Sequence, residues 1–191
     1  MNSPRHKTYA FTIIELLTVV AIIAILSSIL IPVAGGIIRQ SRIAASKARL
    51  WQYITAIEQF KAEYNYYPSI YADGGSGNGL IDLSIAATSR DFIETLSGRD
   101  PASGSPINEG GNYRSIQFYD FSENEFEDED SSTNQLSDQF NNIEISIMID
   151  VDGDGLINPS STDPASPGRI KGNATAWVEA SGDNPGYALW E

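Results

Sequence analysis

Hydrophobic positions change their period along this chain. From Phe11 to Pro32 (FTIIELLTVVAIIAILSSILIP) they are nearly unbroken, with one carboxylate, Glu15, at the fifth place. As a helix, Phe11 to Ile31 spans roughly 30 Å, about one hydrocarbon core. Pro32 removes a backbone donor and crowds the preceding turn, and Gly35 and Gly36 weaken the helix further, so a kink is predicted there. Beyond it Ile43, Leu50, Ile54, Ile57 and Tyr64 recur on one face of an amphipathic helix. Arg42, Lys47, Arg49, Gln52 and Gln59 occupy much of the remainder, and Trp51 lies beside the stripe. The helix is expected to end in EYNYYPS, because Pro68 pushes Tyr67 out of helical geometry.

After Tyr67 the pattern shortens. YADGGSGNG (71–79) reads as a loop, and Leu80 to Leu96 carries apolar residues at helical spacing, enough for one or two short helices. RSIQFYDF (114–121) alternates as a strand with Ile116 and Phe118 on one side. ENEFEDED (123–130) holds six acids and reads as a solvated loop. IEISIMIDV (143–151) is the strongest strand, and ATAWVEA (174–180) is the last. The fold class expected is α+β: a long kinked N-terminal helix, its C-terminal half covered by a small antiparallel sheet.

Charge narrows the possible partners. From Tyr67 onward there are 22 Asp and Glu against 5 Lys and Arg, while residues 37–66 are net basic. A head this acidic does not bind nucleic acid through phosphate contacts. There is no Cys, and the sole His is His6, so a chain cut after Ala10 has no imidazole or thiol for catalysis. No phosphate loop or nucleophile elbow is present. An enzyme is not expected.

The order of features at the start is specific: the leader MNSPRHKTYA with Arg5 and Lys7, then Phe11, Glu15, an apolar run, and Pro32. It resembles the N-terminus of type IV pilins and of type II secretion pseudopilins. The resemblance implies a leader (1–10) removed by prepilin peptidase between Ala10 and Phe11, where the family usually has Gly before the cut, and methylation of the new Phe11 amine. It further implies a membrane-spanning assembly helix (11–32), its amphipathic continuation (33–66) and a globular head (67–191). Glu15 then pairs with the Phe11 amine of a neighbouring subunit, so that two charges leave water together, and Pro32 sits at the family's kink. The implied partners are other copies and other pilin-like subunits, the peptidase and an inner-membrane assembly platform. The head is placed in the periplasm on the resemblance alone, since the flanking cations Arg39, Arg42, Lys47 and Arg49 outnumber Arg5 and Lys7. The function implied is a structural filament subunit of type II secretion. The alternatives are a type IV pilus or DNA-uptake subunit, and a membrane-anchored calcium-dependent binding or adhesin module.

One motif in the head has the pattern of a metal site. Asp150, Asp152 and Asp154, followed by Gly155, match the first half of an EF-hand loop, D-x-D-x-D-G. Ca²⁺ takes six to eight hard oxygens. Alternating acids on a turn supply carboxylates, Leu156 a carbonyl and Asn158 a side-chain oxygen. The second half departs from the pattern: the twelfth position is Ser161, and Pro159, Pro164 and Pro167 exclude an exiting helix. Two readings stand, a Ca²⁺ loop and a bare Gly-Asp turn between strands. Some pseudopilins carry calcium in this part of the head, which by resemblance favours the first.

Overall fold

The computed structural model describes residues 12–190, the side chains of 30–34 excepted. It divides into two units, one up to Ser41 and one from Arg42 onward. The first helix, α1, runs Ile13–Tyr64; Gly35 and Gly36 do not end it. In the first unit the large apolar side chains described from Ile13 to Ile29 are all exposed, including Ile13, Leu17, Val20, Ile23 and Leu26. A helix apolar on every side is one that lipid or other helices cover. Among the described residues no helix is long and apolar enough to cross a membrane. The described apolar side chains end at Ile29, short of the expected end of the run. Phe11 and the side chain of Pro32, the residue of the expected kink, lie outside the described residues.

The second unit is built on the C-terminal half of α1. Leu50, Tyr53, Ile54, Ala56, Ile57 and Phe60 are buried, spaced so that they share one face. Trp51 is 53 % exposed. Against this face lies a five-stranded sheet, β1 (Ala72–Gly75), β2 (Asn78–Asp82), β3 (Ile145–Asp150), β6 (Ala174–Val178) and β7 (Tyr187–Ala188), in the order β1-β2-β3-β6-β7. Every pairing is antiparallel. Ile81, Ile147 and Ala176 stand side by side across three strands and join the α1 core. On the opposite face Met148 and Trp177 pack with Ile157 of β4 (Leu156–Ile157), which pairs with β5 (Ile170–Lys171). β3 is therefore covered on both faces, as its run of Ile and Met requires.

Several expectations for the head are corrected. Residues 71–79 are not a loop but most of the β1–β2 hairpin, and Leu80 belongs to β2. One helix, α2 (Ala86–Ser97), follows, within the one or two expected. RSIQFYDF is not a strand. Its backbone is satisfied elsewhere: Phe118 and Tyr119 N–H both donate to Leu96 O, and the buried Asn112 accepts from Ile116 N–H and donates to Ile116 O.

The acidic run differs most from expectation. It forms short 3-10 turns, and Glu125 and Phe126 are buried. Glu125 accepts from Tyr53 OH (2.7 Å), Tyr119 OH (3.0 Å), Ser122 N–H (3.0 Å) and Ser122 Oγ (2.7 Å), with Arg49 Nε at 3.8 Å. A carboxylate this well bonded is tolerated in a core. Burial and the neighbouring Glu125 push the Tyr53 and Tyr119 phenols up, which keeps both as donors.

Glu125→Ala, which leaves the buried Tyr53 phenol without its acceptor and removes the carboxylate that faces Arg49, is expected to destabilise the head by about 3–5 kcal/mol. Phe60→Ala should cost about the same through the cavity it opens, whereas Trp51→Ala should stay within about 0.5 kcal/mol. Urea unfolding followed by circular dichroism checks all three.

Candidate functional site

Two places carry chemistry. The first is the start of α1. Thr12 N–H and Oγ1 donate to Glu15 Oε2 at 2.9 and 2.8 Å, and Glu15 N–H donates to Thr12 Oγ1 at 3.2 Å. This reciprocal pair is a capping box, which satisfies amides that the first turn leaves without partners. Within the single chain, Glu15 therefore has a local role that the sequence reading did not assign, although T-x-x-E is visible at 12–15. Ala10 and Phe11, the expected processing residues, lie outside the described residues.

The second place is the turn that leaves β3. Carboxylate oxygens of Asp150, Asp152 and Asp154 lie within 4.8 Å of one another. Asp150 is buried, and Asp152 and Asp154 are exposed. Asp150 Oδ1 accepts from Gly153 N–H and Oδ2 from Gly155 N–H, each at 2.8 Å. Asp152 accepts from Asp154 N–H and Asp154 from Leu156 N–H. Gly155 adopts φ +75°, the left-handed conformation the turn needs. Burial pushes the Asp150 carboxyl up, but the Gly155 and Gly153 amides outweigh it and hold the group below its usual value. The turn thus gathers hard carboxylate oxygens, the donor type that suits Ca²⁺.

Of the four expected ligands, the three Asp residues are brought together. Asn158 stands exposed just past β4. Ser161, at the twelfth position, is buried and donates to Pro164 O, so it supplies no bidentate group. The loop continues into β4 rather than a helix. Sequence reasoning missed Asn78, which pairs with Asp150 across the β2–β3 ladder and is 4 % exposed. Only strand register could have found it, and residues 71–79 read as a loop. Surface clefts of about 470 Å³ beside Arg42 and Phe140, and about 480 Å³ beside Trp51 and Lys171, contain no imidazole or thiol.

Residues 5–31 match the family model described as the prokaryotic N-terminal methylation motif. The chain carries the prepilin-type signal of type IV pilins and pseudopilins. The motif takes in Ala10, Phe11 and Glu15 and stops before Pro32, so it covers none of the sheet-bearing unit. It supports a type IV pilin-like structural subunit rather than an enzyme, processed at the bacterial membrane by prepilin peptidase and assembling with other pilin subunits. No curated protein and no solved structure is significantly similar to the chain.

Asp150→Ala is expected to cost about 1–3 kcal/mol even with a chelator present, because it strands the Gly153 and Gly155 amides. Asp154→Ala, at an exposed position, should change stability by no more than about 0.5 kcal/mol under the same conditions. Denaturant unfolding in excess chelator measures both.

Proposed function

We propose that the protein is a structural subunit of a type II secretion pseudopilus, anchored in the bacterial inner membrane with its head in the periplasm. The observation that carries this is the conjunction of the prepilin-type motif with the exposed apolar side chains of α1 from Ile13 to Ile29. Such a surface is stable only in lipid or among similar helices. A subunit stored in the membrane exchanges the first cover for the second when an assembly platform draws it into a filament. Cleavage after Ala10 gives Phe11 a new amine, and Glu15 of one subunit pairs with that amine on the next. The pair sets register, since either charge alone is costly in an apolar bundle.

The Asp150 loop supports the secretion class over a type IV pilus or DNA-uptake filament. In this reading it holds Ca²⁺ through Asp150, Asp152 and Asp154, and the ion stiffens the turn that joins both faces of the sheet. An anchored adhesin shares the loop but has no use for the processed N-terminus.

Two experiments test the filament reading. Mass spectrometry of the membrane-derived protein should find a chain beginning at N-methylated Phe11; one retaining Met1 or beginning at Ile37 rules the reading out. Glu15→Gln retains an oxygen for the Thr12 cap but carries no charge. It should reach the membrane normally and be lost from sheared filaments, as should Glu15→Ala. Normal incorporation of Glu15→Gln removes the pairing role and leaves only the cap.

A further inference from the structure

Among the described residues, none donates a hydrogen bond to the side-chain oxygen of Asn78. Its residue is 4 % exposed, so bulk water does not serve it, and a buried acceptor without a donor is destabilising. The amide nitrogen is accounted for: Nδ2 donates to Gly75 O at 3.3 Å and Ser76 O at 3.4 Å, both in its own hairpin. Oδ1, on the other branch of the amide, accepts from neither the hairpin nor the loop.

The register decides what Oδ1 faces. Asn78 is the direct partner of Asp150, and directly opposed residues project from the same face of a sheet, with Cβ atoms about 4.5–5.5 Å apart. The hairpin and the Asp loop are also joined through backbone. Val151 and Asp152 N–H both donate to Gly77 O at 3.2 Å. A Cβ added at Gly77 would lie 1.8 Å from Asp152 Oδ2, so that carboxylate rests on the hairpin itself. Gly77 also adopts φ +80°, the left-handed conformation that favours Gly in this turn.

We propose that Asn78 Oδ1 is a ligand of the divalent cation bound by Asp150, Asp152 and Asp154, which makes the site a joint between the β1–β2 hairpin and the β3–β4 turn. This rests on the calcium reading above and deepens it. The chemistry is complementary on both sides. Ca²⁺ needs six or more oxygens, and the loop lacks the twelfth-position carboxylate that completes an EF-hand. The hairpin holds a neutral, buried oxygen with no donor. A cation supplies the positive partner for that oxygen, and the oxygen fills part of the shell that Ser161 leaves open.

Calorimetric titration of Ca²⁺ into the full chain in detergent micelles, paired with thermal melts in chelator and in Ca²⁺, tests this. Asn78→Ala should weaken Ca²⁺ binding by about tenfold or more. Asn78→Asp keeps an oxygen in place and loses the Nδ2 bonds. It should bind Ca²⁺ at least as tightly as wild type, melt lower in chelator because it adds a further carboxylate to the three already gathered there, and recover in Ca²⁺. If Asn78 serves only the hairpin through Nδ2, both variants weaken binding alike and Ca²⁺ does not rescue Asn78→Asp; that result overturns the assignment. Wild-type heat with unchanged binding in Asn78→Ala also removes Asn78 and leaves the Asp loop standing. A wild-type chain with no Ca²⁺ heat removes the cation itself, and the filament reading then rests on the N-terminus alone.

Discussion

The head depends on the burial of one face of α1, from Leu50 to Phe60, beneath the antiparallel sheet. Tyr53, Ile57 and Phe60 are fully buried, and Ile81, Ile147 and Ala176 meet them from three adjacent strands. Because side chains alternate along a strand, this contact fixes the register of β2, β3 and β6. Met148 and Trp177 must then face away, and the second cluster with Ile157 follows from that. The position of Asp150 is a further consequence. With Ile149 committed to the core beside α1, Asp150 falls on the opposite face, opposite Asn78, at the point where β3 gives way to the turn.

Carboxylates make the second layer of constraint, through buried polar contacts rather than charge count. Glu125 ties the segment after α2 to Tyr53 of α1, and Asp138 accepts from Tyr187 OH and from Phe140 and Asn142 N–H. Gln139 N–H reaches Ser46 Oγ on α1. The long excursion between α2 and β3 has little regular structure, so these bonds do what a ladder would otherwise do. Burial beside Asp138 pushes the Tyr187 phenol up, as it does for Tyr53 beside Glu125. These phenols remain donors, and the acids remain satisfied.

What was legible from sequence divides along the range of the interactions. The helix ends at Tyr64 as the Tyr-Pro junction implied, and β3 and β6 lie within the expected runs, because local pattern and burial agree there. The buried face was only half read: Ile54 and Ile57 were on the expected stripe, while Tyr53 and Phe60 were not, since aromatic side chains broaden it. The β1–β2 hairpin was hidden by its glycines, which serve close backbone approach. Glu125 was misread because six acids suggest solvation. S-x-x-E at 122–125, the capping-box pattern, was the signal that one of them turns inward. In the Asp loop the three acids were legible from spacing. Asn78 was not, because its place depends on strand register with a residue far along the chain, Asp150.

Glu15 shows why a local role does not exclude an assembly role. Its bonds to Thr12 are made at the very start of α1, where amides lack partners in the single chain. A capping box is satisfied by Glu or Gln alike, so capping by itself gives no reason to carry a charge into an apolar run. In the filament reading proposed above, the charge finds its partner in a cation brought to the same depth. In that reading, removal of the leader before Phe11 generates such a cation four residues away in sequence. Pairing within the same subunit would compete with the Thr12 bonds, whereas pairing with a neighbour can use the carboxylate's remaining lone pairs while the cap stays closed. On the proposed filament reading, the cap holds Glu15 in one orientation before assembly, which lowers the ordering cost when the neighbour's amine arrives.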